Sequence, residues 1–148
     1  MDHAEARAAV IREAMSWIRT PFHHEGRVKG AGVDCLMLLA EVYERAGVVG
    51  HITVPHYPPD WFMHRDAERY LEGLAGYAQE IPGPPEPADI ALYKLEGGRC
   101  FFHGTIVVEW PGRLIHASGM VGFVTLGSAE QWPLRDRPVK FFSPFRGA

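Results

Sequence analysis

The stretch that decides the fold is Gly30-Ala-Gly-Val-Asp-Cys-Leu-Met-Leu-Leu-Ala-Glu-Val-Tyr43. Apolar residues recur at helical spacing directly after the cysteine, which predicts a mostly buried helix that begins at Asp34. Aspartate is a favoured N-cap residue because its carboxylate accepts a hydrogen bond from a free N–H of the first turn. Gly47 supplies a stop signal after the apolar run. Cys35 should therefore lie in the first turn of a buried helix.

The start of a helix has chemical consequences for a cysteine. Free N–H groups and the helix dipole stabilise negative charge there, which lowers a thiol pKa when a cation is also near. The same N–H groups can later hold an oxyanion. The glycines before Cys35 would let another chain approach the sulfur closely. Two interpretations stay open on this stretch alone: a catalytic nucleophile, and a small buried core cysteine.

Composition limits the classes of protein that the chain can be. Its 148 residues predict one domain, residues 1–148, and 47% hydrophobic with 22% charged residues is typical of a soluble globular protein. A net charge of −3 gives no indication of a nucleic-acid partner. No apolar run reaches the ~20 residues of a membrane span, and the N-terminus lacks the features of a signal peptide, so we expect synthesis in the cytoplasm. Two cysteines, Cys35 and Cys100, make neither a disulfide framework nor a CxxC metal site.

Periodicity along the chain predicts helices first and strands afterwards, an α+β layout with the cysteine helix packed on an antiparallel sheet. Residues 3–19 form an amphipathic pattern that Thr20-Pro21 should end. Residues 48–59 are irregular and rich in proline, and a third helix is predicted over 61–74 with Asp60 as its cap. The predicted strands are residues 88–95, 100–110, 113–118, 122–126 and 139–142.

Between the first two helices, residues 22–30 form a polar loop that should line a cleft above Cys35. The adjacent His23 and His24 raise the question of a metal site, but no further ligands occur at close spacing, so we expect none. The loop either contacts substrate or is simply solvated.

Two other histidines lie inside predicted strands, where a polar imidazole needs a partner. His103 and His116 flank the Trp110-Pro-Gly-Arg113 turn, predicted to be type II, so they belong to neighbouring strands. If the turn pairs Trp110 with Arg113, the two histidines are not directly opposite, unless a bulge at one of the nearby glycines, Gly104 or Gly119, alters the register. A cysteine at a helix start above two such histidines has the parts of a nucleophilic triad; two satisfied core histidines are the alternative.

Five segments are informative when they are taken together: Thr20-Pro-Phe-His-His-Glu-Gly26, Gly32-Val-Asp-Cys35, Pro87-Ala-Asp-Ile-Ala-Leu-Tyr93, His103-Gly-Thr-Ile106 and Ile115-His-Ala117. In this order they resemble a known family, the NlpC-type cell-wall peptidases of the papain-like cysteine peptidase superfamily. The approach to the cysteine, starting at Lys29, is most similar to the branch encoded with phage tail genes and gene transfer agents. The resemblance spans roughly residues 4–142.

The resemblance implies a papain-like NlpC fold with Cys35 as nucleophile, His103 as general base and His116 as the residue that orients it. It implies stem peptides of bacterial peptidoglycan as substrate, no metal or organic cofactor, and phage-like tail proteins as candidate partners. With no recognisable signal peptide, we expect the protein to reach the wall within a virion-like tail or through release by lysis. The residues expected to contact substrate are Phe22, His23, His24, Asp34 and Leu36.

The chain departs from the family pattern near the cysteine. Leu36 and Met37 stand where the family commonly has Ser-Gly, and Phe22 stands where a tyrosine hydroxyl commonly helps to hold the oxyanion. His23 or His24 could substitute for that hydroxyl. Loss of a real oxyanion donor typically costs ~2.7–4 kcal/mol. A weakly active or inactive structural component of a phage-like tail, on the same fold, is therefore the alternative function.

Overall fold

The computed structural model describes residues 2–57 and 69–145. Its helices are α1 (His3–Met15), α2 (Cys35–Arg45) and α3 (Arg69–Ala75). Its strands are β1 (Arg27–Val28), β2 (Gly32–Val33), β3 (Gln79–Ile81), β4 (Ile90–Tyr93), β5 (His103–Glu109), β6 (Arg113–Ala117), β7 (Val124–Gly127) and β8 (Val139–Ser143). The predicted α+β class, with helices before the main sheet, is confirmed. No helix in the described ranges is long and apolar enough to cross a bilayer.

Six strands form one antiparallel sheet in the order β3-β8-β4-β5-β6-β7. Strands β4 to β7 follow one another as the predicted meander. The last strand, β8, returns to pair with β4, and β3 pairs with the far side of β8. Strand β3 was not predicted, because its three residues carry too short a pattern to read.

Both faces of this sheet are buried. Helices α1 and α2 cover one face, where the core includes Trp17, Leu38, Ile106 and Ile115. The stretch of residues 128–138 crosses the other face, where Leu134 packs in a second core with Tyr93, Val107 and Leu114. Strand β4 is buried along its whole length, which explains its continuous apolar sequence.

Helix α2 begins and ends as the sequence predicts. Asp34 is its N-cap, and one carboxylate oxygen accepts a hydrogen bond from the Met37 N–H at 2.9 Å. Cys35 is the first residue of the helix. At the other end Gly47 has φ +80°, a left-handed conformation that glycine adopts without a steric penalty.

Helix α1 is shorter than predicted, since it ends at Met15 rather than at residue 19. The N–H groups of Trp17 and Ile18 bond three residues back, to Ala14 and Met15, which tightens the chain out of the α-helix. Arg19 then takes φ +77°. Of the predicted third helix, only the part from Arg69 is described; residues 58–68, which include the proposed cap at position 60, lie outside the described residues.

The turn between β5 and β6 differs from the predicted one. Glu109, not Trp110, pairs with Arg113, so the turn has three residues. The register shifts between Val107 and Glu109 rather than at either glycine suggested by the sequence. One extra residue on one strand changes which side chains stand opposite on the next. As a result Ile106 pairs with Ile115, and the histidines at 103 and 116 lie at the same end of the sheet.

Candidate active site

Cys35 lies at the N-terminus of α2, where the helix meets the start of β5. Its thiol donates to the carbonyl oxygen of Phe102 at 3.5 Å. The backbone N–H of Gly104 also favours the charged form of this sulfur and so acts to lower its pKa. Residues 102 and 104 flank His103 in the chain, so the sulfur lies beside the backbone of this histidine. The predicted neighbourhood of Cys35 and His103 is therefore present.

The two strand histidines form a hydrogen-bonded pair. Nε2 of His103 lies 2.8 Å from Nδ1 of His116, and the two rings are nearly perpendicular at 80°. Both residues are buried, with 3% and 2% of their surface exposed. Since Nε2 of His103 is engaged by His116, Nδ1 is the nitrogen of His103 that is left to accept a proton. The pair thus has the connectivity of a base and the group that orients it.

Burial keeps both imidazoles uncharged at neutral pH. Desolvation, with a smaller contribution from the charge of His116, holds the pKa of His103 well below its usual value. Desolvation alone lowers the pKa of His116 to about 4. A neutral imidazole can act as a general base, whereas an imidazolium cannot accept a proton.

The thiol pKa moves in the opposite direction to the one predicted. Desolvation raises the pKa of Cys35 far above that of a free thiol, and the negative charge of Asp34 raises it further. Backbone N–H groups of Gly104, Leu36 and Cys35 itself favour the thiolate, but they do not outweigh burial. The helix start therefore supplies donors without supplying a net positive field, because the residue that caps the helix is an anion. The resting site combines a protonated thiol with a neutral base.

A second group of side chains meets Asp34 on the loop side of the cysteine. Oδ2 of Asp34, the carboxylate oxygen that does not cap the helix, accepts hydrogen bonds from the Glu25 N–H at 2.8 Å and from the Tyr57 hydroxyl. His24 lies beside them, with Nδ1 3.9 Å from the same oxygen and Nε2 2.8 Å from the carbonyl oxygen of Tyr57. The rings of His24 and Tyr57 meet edge to face, with centroids 4.9 Å apart. We call His24, Glu25, Asp34 and Tyr57 the loop cluster.

Tyr57 is the site residue that the sequence did not reveal. It belongs to the irregular proline-rich stretch, which carries no periodicity. Two hydrogen bonds hold this stretch near α2: Arg27 donates to the Ile52 carbonyl at 2.8 Å, and the Ile52 N–H donates to Glu44 at 2.9 Å. Burial raises the pKa of Tyr57, and the charges of Asp34 and of a Cys35 thiolate raise it further. The Tyr57 hydroxyl therefore meets the residue that directly precedes Cys35.

The other residues expected to contact substrate differ in exposure and in hydrogen-bond partners. Phe22 is partly buried; its N–H donates to the Gly122 carbonyl oxygen, and its backbone bridges to Val33 of β2. His23 is exposed, and Nδ1 of its ring lies 3.0 Å from the carbonyl oxygen of His24. Leu36 is partly exposed at the first turn of α2. Asp34 is buried, and its carboxylate is occupied by protein donors. Within the described ranges, no three His, Cys, Asp or Glu side chains are arranged to hold a metal ion.

Comparison with known proteins identifies the fold. No protein-family profile and no curated protein matches the sequence. Solved structures do match. The NlpC/p60 domain of the peptidoglycan hydrolase SagA is 21% identical, with 93% of this chain and 97% of that domain covered and a TM-score of 0.62. The P60 domain of an antigen from Mycobacterium avium subspecies paratuberculosis is 20% identical over 97% of this chain and 98% of that one, with a TM-score of 0.60.

A third similar structure is the peptidoglycan hydrolase RipB from Mycobacterium tuberculosis. The two sequences are 20% identical, the match covers 100% of this chain and 70% of the RipB chain, and the TM-score is 0.61. Identities near 20% with such coverage establish a shared architecture rather than a shared activity. The chain has the α+β fold of the NlpC/p60 domains.

Proposed function

We propose that the protein is a cysteine peptidase that hydrolyses amide bonds in the stem peptides of bacterial peptidoglycan. One observation carries the proposal: the Cys35 sulfur lies beside His103, whose Nε2 is bonded to His116 at 2.8 Å, on an NlpC/p60 fold. A nucleophile, a base and a group that orients the base form the minimal set for acyl transfer. The similar hydrolases supply the substrate class.

In this mechanism the proton leaves sulfur during attack rather than before it. The Cys35 sulfur attacks the amide carbonyl carbon while its proton passes to Nδ1 of His103. The first-turn N–H groups of α2 stabilise the oxyanion that forms. The imidazolium of His103 then protonates the departing amine, which leaves a thioester on Cys35. Water, deprotonated by the same imidazole, releases the acid and restores the thiol.

Burial makes this sequence of steps reasonable for a site with a raised thiol pKa. A bound peptide displaces water, and the charge that develops on His103 is stabilised by its bond to His116 rather than by solvent. His116 carries no charge at neutral pH, so it orients the base without drawing the proton away. We therefore assign general-base catalysis to this site rather than attack by a preformed thiolate–imidazolium pair.

The test is digestion of purified peptidoglycan with the wild type, Cys35→Ala and Cys100→Ala, followed by mass spectrometry of the released fragments. Cys100 is fully buried and makes the matched control, because it undergoes the same change away from α2. We expect stem-peptide fragments from the wild type and Cys100→Ala but none from folded Cys35→Ala. Fragments from Cys35→Ala would refute the nucleophile assignment, and the masses from the wild type name the bond that is cut.

A second candidate function is a catalytically inactive structural component on the same fold, for which the sequence suggests a place in a phage-like tail; one observation on the thiol favours the loss of activity. The thiol donates to the Phe102 carbonyl instead of to His103, and its pKa is raised. Both features are expected of a site that has lost activity. Under this function a folded wild-type protein releases no fragments, and it is found in purified phage-like particles. If the protein hydrolyses peptidoglycan and is absent from such particles, the structural function is refuted and the peptidase function remains.

A further inference from the structure

Gly127 lies closer to the histidine pair than its place in the sequence indicates. It is the last residue of β7 and pairs with Leu114 on β6, two positions before His116. A Cβ atom at position 127 would lie 2.8 Å from Nε2 and 3.3 Å from Cδ2 of His116. Real Cβ atoms do not approach a ring nitrogen this closely. The φ angle of Gly127 is not left-handed, so its backbone alone does not require glycine.

The proton positions on the histidine pair explain why this space matters. For Nδ1 of His103 to accept the cysteine proton, His103 must carry its own proton on Nε2 and donate it to Nδ1 of His116. His116 must then carry its proton on Nε2, the atom directed at Gly127. A His116 ring displaced away from His103 would lengthen or break the 2.8 Å bond. The position of the His116 ring therefore depends on the free space at residue 127, and the protonation state of the His103 base depends on the position of that ring.

We propose that Gly127 is a positioning residue for catalysis: the missing side chain leaves the space in which His116 holds the His103 base in its reactive form. The proposal rests on the proposed peptidase function for its kinetic consequence, but the contact itself does not. Alanine at this position would push the His116 ring away from His103. Displacement of a catalytic group by about 1 Å can lower a rate by about a hundredfold.

The first measurement is steady-state kinetics on a stem-peptide substrate for Gly127→Ala and for Gly112→Ala. Gly112 lies in the β5–β6 turn, where an added Cβ meets nothing within 4 Å, so it is a matched glycine control. We expect Gly127→Ala to lower kcat at least tenfold with KM changed less than twofold, and Gly112→Ala to behave as wild type. Equal effects of the two variants, or a full kcat in Gly127→Ala, would overturn the proposal.

The second measurement separates a path through His116 from general damage. In a His116→Ala background the colliding ring is absent, so Gly127→Ala should change kcat by less than twofold. An undiminished loss in that background would mean that Gly127 acts in another way and would overturn the proposal. If Gly127→Ala alone does not fold, folding of the double variant identifies the collision as the reason. Failure of both to fold would assign Gly127 a backbone role instead.

The third measurement needs no activity. Proton and nitrogen NMR of the histidine rings should show, in the wild type and Gly112→Ala, a ring N–H shared between His103 and His116. We expect this signal to be lost or shifted in Gly127→Ala. Should the wild type fail to hydrolyse peptidoglycan while the signal still depends on Gly127, the peptidase function fails and the positioning role stands. An unchanged signal in Gly127→Ala refutes the positioning role even if the protein is a peptidase.

Discussion

Cys35 lies between two regions that differ in solvent exposure and charge. On the sheet side, the rings of His103 and His116 are buried, uncharged at neutral pH and hydrogen-bonded to each other. On the opposite side, the loop cluster is partly open to solvent and joins a carboxylate to a phenol, a histidine and a second acid. We call the His103–His116 pair the dry side and the loop cluster the polar side. The comparison suggests that the dry side transfers protons and that the polar side places the cysteine.

The two regions also differ in what holds them. Strand pairing positions the histidines, because neighbouring backbones fix which side chains meet across β5 and β6. The loop cluster instead joins residues 24–34 to residue 57 through side-chain hydrogen bonds. Regions held by a buried ladder open rarely, whereas loops held by exposed hydrogen bonds open more often. Substitutions at the histidine pair should therefore change the catalytic rate, whereas substitutions in the loop cluster should change how well the loop and Cys35 are held in place.

The largest effect should come from deleting the proposed base. His103→Ala should lower kcat/KM on a stem-peptide substrate about a thousandfold, within the range for loss of a general base. His116→Ala should lower it less, and His24→Ala by less than tenfold. Equal losses for His103→Ala and His116→Ala would mean that the two act as a single unit. A loss for His24→Ala as large as that for His103→Ala would place the base in the loop cluster.

The same contrast explains how much of the site the sequence could predict. Asp34, Cys35 and Gly47 were identified because capping and stop signals are local. His103 and His116 were identified because a histidine in an apolar strand is conspicuous. The register that joins them was wrong, since the irregularity after Val107 leaves no sequence signal. The NlpC resemblance supplied the fold, and the solved structures confirm it.

What the sequence missed depends on long-range contacts. Tyr57 reaches Asp34 across 23 residues of sequence, through a stretch without periodicity. The thiol pKa was predicted in the wrong direction because the number of neighbours that desolvate a sulfur cannot be read from its position in a helix. Gly127 also escaped notice, because a glycine at a strand end looks like an ordinary turn signal.

The second largest effect concerns stability and pH. The pKa of His116 is about 4 in the folded protein against 6.5 for an ordinary histidine, so the unfolded chain binds more protons between these values. Stability is thus fully present above pH 6.5 and is lost as the pH falls toward 4. Between pH 7 and 5 we expect a loss on the order of 2 kcal/mol from this group. Urea unfolding of the wild type and His116→Gln measures it.

In His116→Gln this loss should shrink, whereas His23→Gln makes the same substitution at an exposed ring and serves as the control. An unchanged pH dependence in His116→Gln would show that the pair is already charged in the folded protein. The dry side would then not differ from the loop cluster in charge, and the general-base mechanism would need revision.

A smaller effect is expected from neutralising the loop cluster. In the wild type the negative charge of Asp34 raises the pKa of Cys35. Asp34→Asn removes this charge but keeps a residue that caps helices well. The thiol pKa should fall, so alkylation by iodoacetamide at pH 8 should become several times faster while the urea midpoint decreases. In the wild type, alkylation should be slower than that of a free thiol and should rise with pH. Slower alkylation in Asp34→Asn would mean that Asp34 orders the N–H donors around the sulfur.

The smallest effect should come from Tyr57→Phe, which removes only the hydroxyl bound to Asp34. Loss of such a bond typically costs about 1 kcal/mol of stability. Tyr43→Phe is the matched control, because it removes a hydroxyl that donates to the Ala88 carbonyl at 2.6 Å, two turns along α2 from the cysteine. We expect both variants to unfold at lower urea concentrations, but only Tyr57→Phe to lower kcat/KM, by about threefold to tenfold.

This pair of tyrosines decides whether the polar side contributes to catalysis at all. Tyr43 is buried and Tyr57 is partly buried, and burial raises the pKa of both phenols. The Tyr57 hydroxyl donates to the residue next to Cys35, whereas the Tyr43 hydroxyl donates to a backbone carbonyl remote from it. If the two variants lose equal stability and equal activity, the loop cluster only supports the fold. If activity falls for Tyr57→Phe alone, the cluster sets the position of Cys35 while the dry pair moves its proton, and both regions are needed for one reaction.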